Sequence, residues 1–319
     1  MSRRKSRWAS KRRQSQSRWG ILVAALLGLA VLGVLGYARL VQPAYTVTEA
    51  EFHSAAERSL TKLCQFYTDL CLPGYVEQSL ERIHFVHQAE FDERLREYIA
   101  AVSLPPEQDV PAFTVADEAR QIYFNVDYPR FRKLPTKEDF LAATEEVFDH
   151  EVVHQTASYY ELPGSVVIPL GPDQVFTATT VSGVALVDAQ GVMILNPLDE
   201  AFTEYLASPI HRSRHLLPNR VLLEGPALVE SISGELGFGR QLIMTGYALY
   251  GWSGLALLYG EKASPAAMGQ LGLDEFWMGV NFLVLLNNAV VDLAGGEVDQ
   301  EAALAGLEIF LDSGGHRQP

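Results

Sequence analysis

Apolar residues first recur with a helical period. Phe52, Ala56, Leu60 and Leu63 fall three and four apart in "TVTEAEFHSAAERSLTKLCQFYTDL" and predict one helix. "PGYVEQSLERIHFVHQAEFDERLREYIAAV" continues as a second long helical stretch, and the proline-rich "LPPEQDVPAF" ends it. The period then changes to alternation in "QIYFNVDY", residues 121–128, which predicts a strand. Helical spacing returns at Phe140, Leu141, Val147, Phe148 and Val152. Thr136 and Asp139 make a capping-box-like start, and Leu162-Pro163-Gly164 is the expected stop. Residues 165–195 are rich in Val, Ile and Thr, are broken at "GPDQ" and "QG", and predict two or three antiparallel strands. "NPLDEAFTEYLASP" opens a new helix with Asn196 as its N-cap and Pro197 at the first helical position. From Leu222 onward the spacing is helical. The uncharged runs 241–260 and 276–291 carry glycines, hydroxyls and asparagines that suit buried core helices better than membrane spans.

One apolar run is different. Residues 20–38 are nineteen without a charge. At helical rise they cover roughly 28 Å, one hydrocarbon core. Trp19 and Tyr37 flank the run, and eight basic residues with no acid precede it. This asymmetry predicts a basic cytoplasmic tail (1–19), a single transmembrane anchor (20–41) and a body outside the cytoplasm. A cleaved signal peptide is the rival reading, but no clean small-x-small site follows the run. Net charge is −14 despite the basic tail, so the body is strongly acidic. Such a body repels phosphate backbones and argues against nucleic acid as a partner. Outside the cytoplasm the two cysteines, Cys64 and Cys71, are expected to close a small disulfide loop. Residues 44–104 read as a helical membrane-proximal region and 105–319 as the main domain.

The candidate chemistry lies in "HEVVH", residues 150–154, well inside the predicted fourth-to-sixth-turn region of one helix. Positions i and i+4 share a helix face, so His150 and His154 can point two imidazoles at one ion. Glu151 beside them can take a proton from water. A third ligand is needed. "DEAFTEYLA" offers Glu200 and Glu204, again four apart, with His211 and His215 behind them.

A His-Glu-x-x-His helix followed by a helix of the type Asn/Asp-Glu-Ala-x-x-Asp/Glu resembles the gluzincin metallopeptidases, the thermolysin-like branch of the zincins. The likeness covers residues of about 120–210, with 45 residues (155–199) between the two signatures. It implies an α+β, zincin-like domain with a small antiparallel sheet beside the HExxH helix and a helical C-terminal part. It further implies that His150, His154 and Glu200 bind Zn2+, that Glu151 is the general base, and that Glu204 orients a ligand histidine. Such a hydrolase also needs an oxyanion stabiliser. Tyr159, Tyr160, Tyr205, His211, Arg214, His215 and Tyr247 are available, with Tyr205 and His215 preferred. The expectation is a membrane-anchored, extracytoplasmic zinc peptidase acting on a peptide or protein substrate, in keeping with a bacterial envelope. The alternative is a catalytically inactive envelope binding protein on the same scaffold. The charges of the HEVVH helix argue against an intramembrane protease.

Overall fold

The computed structural model describes residues 45–101, 109–171, 174–211, 220–263 and 273–312. The predicted tail and anchor, together with Arg214 and His215, lie outside these residues. The chain divides into two units. In the smaller one, residues 45–46 and 129–140 are described. Tyr45 Oη donates to the Leu134 carbonyl at 3.1 Å, and the Tyr45 and Phe131 rings both meet Phe140 edge-on.

The larger unit, residues 47–128 and 141–319, contains the rest. Helix α1 (Glu49–Phe66) leads to α2 (Tyr75–Leu80), strand β1 (Ile83–Val86), α3 (Gln88–Ala101), β2 (Ala112–Thr114) and β3 (Ile122–Asn125). The HEVVH helix is α4 (Lys137–Thr156), whose residues from Leu141 onward belong here. Strands β4 (Tyr159–Gly171), β5 (Gln174–Ser182), β6 (Ala185–Val187) and β7 (Met193–Ile194) precede α5 (Asn196–Ala207). Helices α6 (Arg220–Glu235), α7 (Arg240–Ala263), α8 (Leu273–Gly295) and α9 (Gln300–Asp312) follow. The architecture is mixed α and β, with two small sheets among many helices.

The first sheet has the order β1-β3-β2. β1 runs parallel to β3 with Phe85 opposite Phe124, and β2 is antiparallel with Phe113 opposite Tyr123. One expectation is corrected here. The stretch expected as a second long helix, residues 73–102, is not one helix: "IHFV" leaves the helical path to pair with β3. It buries Ile83 and Val86 and sets Phe85 against Phe52, Phe124 and Phe148. Strand pairing and aromatic burial outweigh the local helical pattern. The first sheet takes β1 from before residue 104 and β2 and β3 from after it.

The second sheet is an antiparallel meander, β4-β5-β6-β7. It has four strands where two or three were expected. α4 ends at Thr156, before the Leu-Pro-Gly stop, and that tripeptide lies within β4 at a register shift between Glu161 and Val166. α5 also starts one residue early. Its N-cap is Leu195, held at φ 61°, and Asn196 is already helical.

α1 packs on α4 through charge as well as apolar burial. Ser59 Oγ donates to the Glu145 carbonyl, and Arg58 Nε donates to Glu145 Oε2 at 2.8 Å. Lys62 Nζ reaches Asp149 Oδ2 at 2.6 Å and Glu145 Oε1 at 3.1 Å. The Cys64–Cys71 disulfide closes the turn after α1, as expected. α7 breaks at Gly251 (φ 52°, ψ −134°), where a side chain would strike Ser158 Oγ and the Gly183 carbonyl. Within α8, residues Glu275–Gly295 are long and apolar enough to cross a membrane by length and composition. Val280, Phe282, Leu283, Leu286 and Val290 of this helix are buried, and Tyr259 stacks on Phe282 at 5.2 Å, as in a core.

Phe148 is fully buried and stacks on Phe124 at 4.9 Å, so it joins α4 to the first sheet. Phe148→Ala should lower unfolding free energy by about 3–5 kcal/mol, measured by urea denaturation. Glu145 makes a pH prediction. Burial would raise its carboxyl, but the hydrogen bonds from Arg58 and Lys62 outweigh burial and hold it below its ordinary value. The resulting stability is present above the ordinary carboxylate range and is lost as pH falls through the depressed value. Arg58→Ala should therefore destabilise the protein at pH 7, and the difference from the unmutated chain should shrink below roughly pH 4.

Candidate metal centre

α4 and α5 face each other with matched four-residue spacings. His150 and His154 project from α4, and two pairs, Asp199 with Thr203 and Glu200 with Glu204, project from α5. Each histidine meets one pair. His150 Nδ1 lies 3.0 Å from Glu204 Oε2. His154 Nδ1 lies 3.3 Å from Asp199 Oδ2 and 3.2 Å from Thr203 Oγ1. An ionised carboxylate only accepts, so each Nδ1 carries the hydrogen and each neutral Nε2 is left with a lone pair.

Those two lone pairs point at the same place. His150 Nε2 and His154 Nε2 are 3.1 Å apart. Glu200 Oε2 is 3.2 Å from the first and 3.5 Å from the second. Four ligands set tetrahedrally at 2.0–2.1 Å from zinc are separated by roughly 3.3 Å, so three acceptors already occupy the corners such an ion requires. The donor set of two imidazoles and a carboxylate fits zinc chemically as well. Among the described residues, His150, His154 and Glu200 form the one group of this kind. The side chains of His150 and His154 are 7% and 12% exposed against 28% for Glu200, so the group is reached from the Glu200 side.

Without a metal, protons take its part. Burial would lower both histidines, but Glu200 and Glu204 hold His150 well above its ordinary value. Glu200 and Asp199 similarly raise His154 to about 9. In return, the histidines overcome the upward push of burial on the carboxyls, lowering Glu200 strongly and Glu204 to about 2.

The surroundings fix this geometry. Asp199 Oδ1 accepts the Val184 N–H at 2.7 Å, and Thr203 Oγ1 lies 2.9 Å from Tyr247 Oη. Gly183 (φ 61°) sits against Asp199 and Tyr247 with no room for a side chain. Glu151 points to β2, where its Oε2 accepts the Thr114 hydroxyl at 2.7 Å. Sheet, meander and both helices thus meet at the triad.

The structure brings together His150, His154, Glu200 and Glu204, while Glu151, next to His150 in the chain, turns its carboxylate to Thr114 of β2. It places Tyr205 elsewhere. Helical phase turns its ring toward α7, under the Arg240 guanidinium at 4.5 Å from the ring centroid. His211 Nε2 lies 3.3 Å from Glu204 Oε2 and does not join the triad. Tyr160 bonds Ser253 Oγ and the Tyr250 carbonyl, and Tyr247 is fully buried behind Thr203. His215 lies outside the described residues. Asp199, Thr203 and Tyr98 were missed. Asp199 and Thr203 repeat the Glu200–Glu204 spacing one residue earlier, a signal present in "DEAFTE". Tyr98 stacks on Phe113, next to Thr114. Burial raises its phenol, with Glu200, Asp199 and Glu151 adding to the effect and Arg120 opposing it. Its place in the apolar stripe Phe91, Leu95, Ile99 disguised it as core.

No family profile, curated protein or solved structure matches the chain.

Metal analysis of the full chain should find about one zinc per chain after reconstitution, as a single three-residue site requires. His154→Ala and Glu200→Ala should each lose it, whereas Tyr205→Phe should retain it.

Proposed function

We propose that the chain is a zinc-dependent peptidase of the zincin type, hydrolysing peptide bonds at the His150–His154–Glu200 group. The observation that carries this reading is the convergence of three acceptors, His150 Nε2, His154 Nε2 and Glu200 Oε2, on a helix where Glu151 follows the first ligand. Zinc, when bound, supplies Lewis acidity that makes water a nucleophile near neutral pH and polarises a carbonyl. The chain supplies the remainder. Glu151 accepts a proton from the attacking water and returns it to the leaving amine. The Thr114 hydroxyl holds one Glu151 oxygen and leaves the other to work. Asp199 and Glu204 keep the ligand imidazoles in the tautomer that presents Nε2. A body outside the cytoplasm, tethered by residues 20–41, remains part of the proposal and agrees with the Cys64–Cys71 disulfide.

Glu151→Gln tests the reading directly. It should keep stoichiometric zinc and lose about 10²–10⁴-fold in kcat on a cleaved peptide. Full activity in this variant would overturn the proposal and leave the non-catalytic binding protein in its place.

A further inference from the structure

The charges behind His150 do not stop at Glu204. Glu204 Oε2, 3.0 Å from His150 Nδ1, is also 3.3 Å from His211 Nε2. The other His211 nitrogen lies 3.8 Å from Asp149 Oδ2. That oxygen takes a hydrogen bond from Lys62 Nζ at 2.6 Å. Lys62 also meets Glu145 Oε1 and the carbonyl of Ile210, the residue before His211, at 3.0 Å. Lys62 thus donates two hydrogen bonds, to Asp149 Oδ2 and the Ile210 carbonyl, and pairs by charge with Glu145 Oε1. The side chains of Asp149, His211 and Glu204 are 1%, 3% and 7% exposed, so none can be satisfied by bulk water. Ionisable groups follow one another from α1 inward: Lys62, then Asp149, His211, Glu204 and His150.

Buried charged groups keep one arrangement only when each has a partner, and removing one partner leaves the next uncompensated. Glu204 has two partners, His150 and His211. Without His211 its carboxylate is free to swing, and His150 loses the contact that selects its tautomer. Lys62 governs both sides of His211, through Asp149 facing its ring and the Ile210 carbonyl in its backbone.

We propose that Lys62, Asp149 and His211 are positioning residues of the metal centre, with α1 supplying the lysine that anchors the series. The inference rests on the reading of His150, His154 and Glu200 as metal ligands. It makes the helix expected as a membrane-proximal spacer a part of that centre.

The test is zinc and cobalt(II) titration of the full chain and its variants, following zinc dissociation constants by competition and cobalt(II) ligand-field absorption. Lys62→Met and His211→Leu should each weaken zinc by about 10–100-fold, the usual effect of losing a group that orients a ligand histidine. Lys62→Arg and His211→Gln restore a donor and should recover most of the affinity. Leu60→Ala removes a buried side chain from the same helix without touching the series, and should lower stability while leaving zinc affinity unchanged. The inference is overturned if Lys62→Met and His211→Leu bind zinc like the unmutated chain. It is equally overturned if Leu60→Ala weakens binding as much as they do. Absence of zinc and cobalt(II) uptake by the unmutated chain would instead remove the metal reading itself, and this inference with it.

Discussion

Three electron-pair donors held within 3.5 Å of one another repel unless a cation lies among them. The surrounding structure is organised around that constraint. Asp199 and Glu204 claim the Nδ1 hydrogens, so the Nε2 lone pairs have nowhere else to turn. Val184, Thr203 and Tyr247 brace the side of His154, and His211 and Lys62 brace the side of His150. Gly183 lets the meander approach α5 closely enough to reach Asp199. Without a metal, protons on the histidines fill that need, and the same three atoms are spaced as ligands of one metal ion would be.

Much of the site was legible because helical spacing is a direct statement about direction. His150 with His154 and Glu200 with Glu204 each occupy one face at any helix orientation. Tyr205 shows the limit of the same rule. It adjoins Glu204 in sequence but lies about 100° around the helix, which turns it to Arg240. Lys62, Asp149 and Tyr98 could not be read at all. Their roles depend on which helices meet, and no local pattern contains that. The fold was legible where periodicity was long, as in α1, α4 and α5. It was misread at "IHFV", where the deciding energy comes from Phe124 and Phe148, far away in the chain. It was misread again at Leu162-Pro163-Gly164, where a strong stop signal is absorbed as a register shift in β4.

The division of the chain into spacer and catalytic domain also dissolves at the level of contacts. β1 completes the first sheet, Lys62 and Arg58 neutralise carboxylates of α4, and the Tyr67 hydroxyl donates to the Leu206 carbonyl at the end of α5. Among the described residues, 47–101 therefore supply walls and supports of the site. An acidic body of this kind places several carboxylates near its site, and α1 brings the basic groups that make their burial tolerable.

These links have a consequence in time. Lys62 and Asp149 are 87 positions apart, and the Phe66 carbonyl accepts a hydrogen bond from Gln241, 175 positions further on. α1 is synthesised early and finds its partners late. Its lysine cannot be neutralised until α4 exists, nor its C-terminal end covered until α7 does. Closing loops of this length before their contacts form raises the folding barrier more than it lowers final stability. A nascent chain would thus carry α1, half-apolar and unpaired, through most of its own synthesis.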